Sequence, residues 1–142
     1  MEDIVKQAEA VMYDLLKPEL RDGVPVPRNF RDRGPKAVTT SQIRKFLTAV
    51  NTVTNKVNIY KVKENKTELS DELAAEVKYL KIKVVYQAGR DNQGDLVSTF
   101  IQKAKLISWI DGIGHSIAKY EEFAKYIEAL VAYHKFYGGK DK

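Results

Sequence analysis

Apolar residues recur at intervals of three and four along most of this 142-residue chain, and that period leaves few folds open. A helix turns about 100° per residue, so this spacing gathers apolar side chains onto one face. Ile4, Ala8, Val11 and Leu15 form the first stripe, which Pro18 ends. Thr39 followed by Gln42 is a capping-box pattern, and Ile43, Phe46, Leu47, Val50 and Val57 carry a second helix to about Tyr60. Leu73, Val77, Leu80, Val84 and Ala88 define a third, with Gly89 expected as its left-handed cap. Leu96, Phe100, Ile101, Ala104 and Ile107 give a fourth that stops near Gly112 and Gly114. Ile117, Ala124, Ile127, Val131 and His134 give a fifth, closed by Gly138 and Gly139.

No sustained period of two competes with these stripes. The β-branched run Ile82, Val84 and Val85 is interleaved by lysines and stays within the third helix. The expectation is an all-α, single-domain bundle of about five helices without internal repeats, spanning residues 1–142. One core suits this length. Between Glu19 and Lys36 the chain carries Gly23, Pro25, Pro27, Gly34 and Pro35, a density of breakers that predicts an extended arm or loop. Arg28, Arg31 and Arg33 beside Asp32 make that arm basic.

Several classes of chemistry have no residues to work with. There is no cysteine, hence no disulfide or thiolate site. His115 and His134 fall on different predicted helices without a carboxylate or second histidine at metal-ligand spacing. No P-loop or GxSxG occurs, and Gly112 and Gly114 follow a helix, where a phosphate loop would follow a strand. Glu121 and Glu122 point about 100° apart and read as a solvated face. The chain is expected to be no enzyme and to need no cofactor. No apolar run nears the roughly 20 residues of a membrane span, and Glu2 and Asp3 stand where a signal peptide would be positive, so a cytoplasmic location is expected.

What remains is charge and aromaticity. The net charge of +5 and pI of about 9.3 favour a polyanionic partner. From Lys36 through Lys63 there are six basic residues, Lys36, Arg44, Lys45, Lys56, Lys61 and Lys63, and no Asp or Glu. On the second helix Arg44, Lys45, Thr48, Asn51, Thr52, Asn55 and Lys56 lie away from the apolar stripe, as donors to phosphate and sugar. A plain solvated face is the competing account, weakened by the missing acids. On the third helix Tyr79, Lys83, Tyr86 and Arg90 follow at i, i+4, i+7 and i+11, alternating rings and cations, with Lys78 and Lys81 widening the basic surface. Tyrosines packed on a neighbouring helix or subunit, with the cations capping the C-terminal carbonyls, would give the same pattern. Phe123, Tyr126, Leu130, Tyr133 and Tyr137 add a second stripe to the last helix, which is therefore central to the core or half buried in a partner.

Three segments together, TTSQIRKFL at 39–47, YLKIKVVYQAGR at 79–90 and YIEALVAYHKFYGGKD at 126–141, resemble the small subunit of the type III-A CRISPR interference complex, the Csm complex. The resemblance covers about residues 37–141. It implies a non-catalytic helical subunit, several copies of which line the inner face of a helical ribonucleoprotein. There it would touch guide RNA and target RNA beside the backbone subunits and below the large subunit, while other subunits cleave RNA. The residues expected to meet RNA are Arg44, Lys45, Lys56, Lys78, Lys81, Lys83 and Arg90. Two rivals remain: a DNA-binding regulator, because TTSQIRKFL also looks like the opening of a helix-turn-helix, and a scaffold that binds only protein. The first lacks a tight turn and recognition helix, since the apolar period runs past Val53.

Overall fold

The computed structural model describes residues 3–26, 37–91 and 95–139. Among them are six helices: α1 (Ile4–Leu16), α2 (Thr40–Glu64), α3 (Asp71–Arg90), α4 (Leu96–Ala104), α5 (Leu106–Asp111) and α6 (Ile117–Phe136). The fold is all-α, as the periodicity predicts. α6 packs against α1 and α2, α2 against α3, and α3 against α4 and α5, while α1 returns to touch α4.

Local chemistry starts these helices where the sequence places them. The Asp3 carboxylate accepts from the Val5 amide at 2.9 Å, and the Thr39 capping box is complete. There the Gln42 amide donates to Thr39 Oγ1 at 3.2 Å and the Thr39 amide to Gln42 Oε1 at 2.9 Å. Ser70 and Ser116 cap α3 and α6 more simply, their hydroxyls accepting from the Leu73 and Lys119 amides at 3.2 and 3.1 Å. α2 runs four residues past the expected Tyr60, to Glu64, and Asn65 at φ 51° ends it.

Three local expectations need correction. The fourth apolar stripe is two helices, because Lys105 at φ 56° and ψ 40° breaks it. Ala104 and Leu106 are both fully buried, yet residues two apart on one straight helix point about 200° apart. The left-handed residue between them turns both inward. Gly89 lies inside α3 and caps nothing; the helix continues to Arg90, and Asp91 Oδ2 accepts from the Val97 amide at 2.8 Å, starting the next helix. The arm is not wholly irregular either. β1 (Leu20–Arg21) pairs antiparallel with β2 (Val24–Pro25), across a turn in which Asp22 and Gly23 have φ of 53° and 78°. Asp-Gly is the pair that tolerates two positive φ values in a tight hairpin, and Pro25 is compatible with so short an edge. The rest of the arm, including Arg28, Arg31 and Arg33, lies outside the described residues.

The core centres on α6. Tyr120, Phe123, Tyr126, Ile127 and Leu130 are buried, so the second aromatic stripe belongs to the core. Its polar atoms are matched: Tyr120 donates to the Val50 carbonyl at 2.9 Å and Tyr126 to the Ala104 carbonyl at 2.9 Å. His134, 1 % exposed, sits 2.7 Å from the Val38 carbonyl and 3.4 Å from Thr40 Oγ1. Among the described residues no helix is long and apolar enough to cross a membrane.

Gly139 lies so close to the His134 ring that a β-carbon there would overlap the imidazole. Gly139→Ala should therefore destabilise the fold by about 1–3 kcal/mol, measured by urea unfolding. Burial raises the Tyr120 and Tyr126 phenols from 10.0 to about 12. With the folded values above the unfolded ones, their contribution is complete below about pH 10 and is lost as pH rises toward 12. Unfolding midpoints should fall over that window, and Tyr126→Phe should reduce the fall while costing about 1 kcal/mol at neutral pH through the lost hydrogen bond.

Candidate nucleic-acid interface

The exposed faces of α2 and α3 meet along a groove of about 490 Å³. Lys45, Thr48 and Thr52 line it from α2; Tyr79, Ile82, Lys83, Tyr86 and Gln87 line it from α3. The two basic-polar faces predicted separately thus form opposite walls of one feature. α2 and α3 present them outward because each helix spends its apolar stripe on the core: Ile43, Phe46, Val50 and Val57 on one, Val77, Leu80 and Val84 on the other. Among the described residues no carboxylate lines the groove.

Tyr79 and Tyr86 are 58 % and 61 % exposed. Among the described residues they are not consumed by packing on a neighbouring helix, which removes that part of the competing account. The Arg90 guanidinium lies 5.6 Å from the Tyr86 ring centroid, extending the ring-and-cation stripe toward the end of α3. Ile82 and Gln87 complete the wall. They stand three and eight residues after Tyr79, so helical geometry could have added them to the predicted set.

The seven predicted cations do not share one face. Lys45 and Lys83 line the groove; Arg44 is exposed beside it on α2. Among the described residues none of these three is engaged in a salt bridge. Lys56 donates to Glu76 Oε1 at 2.8 Å, so an acid missing from the stretch between Lys36 and Lys63 arrives from α3. Lys61 likewise meets Glu121 of α6 at 3.0 Å. Lys81 is paired with Asp111 of α5 at 2.9 Å, and Lys78 lines a separate cleft with Asp71, Asp111 and His115. His115 also contacts Asp71 at 3.0 Å, a pairing that separation along the chain conceals. Among the described residues no group of three His, Cys, Asp or Glu side chains is placed to hold a metal ion.

Comparison with known proteins decides which family builds this arrangement. The model of the Csm2 type III-A family matches residues 29–140. The chain belongs to the Csm2 family. It is 38% identical over 110 residues to the CRISPR system Cms protein Csm2 of Streptococcus thermophilus, covering 78% of this chain and 81% of that protein. The Csm2 protein of Mycobacterium tuberculosis H37Rv is 34% identical over 141 residues, 99% of this chain and 96% of the relative. That of Enterococcus italicus is 37% identical over 102 residues, covering 70% and 68%. The chain is accordingly a small subunit of the type III-A Csm complex, in company with the other subunits of that assembly. TTSQIRKFL opens a helix that continues unbroken to Glu64, without the tight turn a helix-turn-helix requires.

This division of the α3 cations is testable by stability alone. Lys81→Met should cost up to about 1 kcal/mol, the range of a partly exposed ion pair, whereas Lys83→Met should leave stability within about 0.5 kcal/mol of the parent. Urea unfolding of both variants measures the difference.

Proposed function

We propose that this small subunit binds guide and target RNA along the α2–α3 groove, through backbone and base faces and without sequence preference. The observation that carries the reading is the groove itself: Lys45 on one wall faces Lys83 and the exposed rings of Tyr79 and Tyr86 on the other, and among the described residues no acid lines it. Lysines neutralise phosphates as mobile point charges, and tyrosine rings stack on any base. Neither group reads a base edge, which suits a complex in which base pairing supplies specificity. Arg44 and Arg90 extend the track at its sides. Lys56, Lys78 and Lys81 would contribute through the summed field, since two of them already hold carboxylates.

In this reading the chain is a single helical domain that supplies no catalytic group, acts in the cytoplasm as part of an antiviral ribonucleoprotein, and leaves RNA cleavage to other subunits. Further copies of the chain, packed beside the backbone and large subunits, would place several grooves along one strand. Modest affinity per copy is then raised by avidity.

If about four cations each neutralise one phosphate, log affinity against log salt should fall with a slope near −3 for single strands, using roughly −0.7 per contact. Two unrelated single-stranded RNAs of equal length should give the same line. The double substitution Lys45→Met and Lys83→Met should flatten the slope by about 1.4 and leave circular dichroism unchanged. A shallow parental slope, a strong preference for one RNA, or unchanged affinity in the double variant would overturn the reading.

A further inference from the structure

Away from the groove, α1, α4, α5 and α6 line an open cavity of about 640 Å³, within the roughly 300–1,000 Å³ range of small-ligand sites. It exists because of the break at Lys105. A continuous helix through residues 96–111 would carry Lys105 and Ser108 along a straight axis; the left-handed residue bends the chain, and both side chains line the cavity with Trp109. A non-glycine residue held at φ 56° costs free energy that neighbouring contacts must offset. One of those contacts is the hydrogen bond that Tyr126 donates to the carbonyl of Ala104, the last residue before the bend.

The same tyrosine fixes the aromatic wall. Trp109 and Tyr126 are stacked with centroids 4.7 Å apart and an interplanar angle of 22°. Tyr126 is buried and hydrogen bonded, while Trp109 keeps part of its surface open on the cavity. Three lysines line the same space. Lys103 is held by Asp14, whose carboxyl is lowered by that hydrogen bond. Lys105 and Lys119 are exposed, and among the described residues neither is paired with a carboxylate. Glu122 lies on the cavity wall beside them.

We infer that this cavity binds a single nucleotide, its base against Trp109, its phosphate on Lys105 and Lys119, and a ribose hydroxyl donating to Glu122. A rigid indole platform favours a flat π-face. Two unpaired ammonium groups favour a phosphate, and one carboxylate accepts from a hydroxyl without cancelling both cations. The nucleotide is either a free mononucleotide or one unit of an RNA strand splayed out of its stack; the site chemistry is the same for both. The inference stands apart from the groove, with which the cavity shares no lining residue.

Trp109 is the only tryptophan in the chain, so its fluorescence reports the site directly. The full chain is titrated with adenosine monophosphate, adenosine, inorganic phosphate and a short single-stranded RNA, with correction for absorption by the base. Saturable quenching by the mononucleotide, stronger than by adenosine or phosphate alone, is expected. It should weaken about tenfold in Lys119→Glu and further in Lys105→Glu combined with Lys119→Glu, and stay unchanged in the groove variant Lys45→Met with Lys83→Met. Quenching by RNA alone that is lost in the Lys119→Glu variants also supports the site and assigns it to a strand nucleotide. No quenching by either ligand, quenching indifferent to the Lys119→Glu variants, or quenching lost only in the groove variant overturns it. Lys119 is an exposed helical residue, so circular dichroism of the single variant separates binding loss from unfolding.

Discussion

Three polar side chains on α6 must be satisfied inside the core, and the placement of α2 and α4 against it follows from how they are. Tyr120, Tyr126 and His134 are all nearly or fully buried, and each finds a backbone carbonyl in a different part of the chain: Val50 within α2, Ala104 at the end of α4, and Val38 before α2. Leaving one unpaired would cost about 1–3 kcal/mol. A purely apolar α6 could slide or rotate against its neighbours at little cost. These bonds define its depth and register against α2 and α4.

That anchoring links the core to both surface features. The Tyr120 bond to Val50, joined by Thr54 Oγ1 at 2.8 Å from the phenol oxygen, holds the middle of α2. With the inner face of α2 so held, Lys45, Thr48 and Thr52 turn toward α3 and close the groove. The Tyr126 bond holds the carbonyl just before the bend at Lys105, and so belongs to the wall of the second cavity. One helix therefore sets the geometry of two exposed surfaces without contributing to the groove itself.

Charge follows a different logic from packing. The basic run between Lys36 and Lys63 is real as sequence, but tertiary contacts divide it. Glu76 and Glu121 neutralise Lys56 and Lys61 from other helices, while Arg44 and Lys45 are exposed and, among the described residues, engaged in no salt bridge. A local excess of one sign is thus an upper bound on the charge a ligand meets. Of the cations left without a salt bridge among the described residues, Lys45 lines the groove where α2 and α3 meet.

By itself the sequence determined the helical class, four of the helix starts through their Asp, Thr and Ser caps, the apolar faces and the family, because these depend on residues within a turn or two of one another. It also carried the ring-and-cation stripe of α3, since Tyr79, Lys83 and Tyr86 share a face by helix geometry alone. Only the tertiary structure decided that this stripe faces Lys45 across a groove, that Lys81 is tied to Asp111, and that the chain bends at Lys105. No local signal marks Lys105 for a left-handed conformation. Burying Ala104 and Leu106 on the same side requires it, and that demand arises only when α4, α5 and α6 pack together.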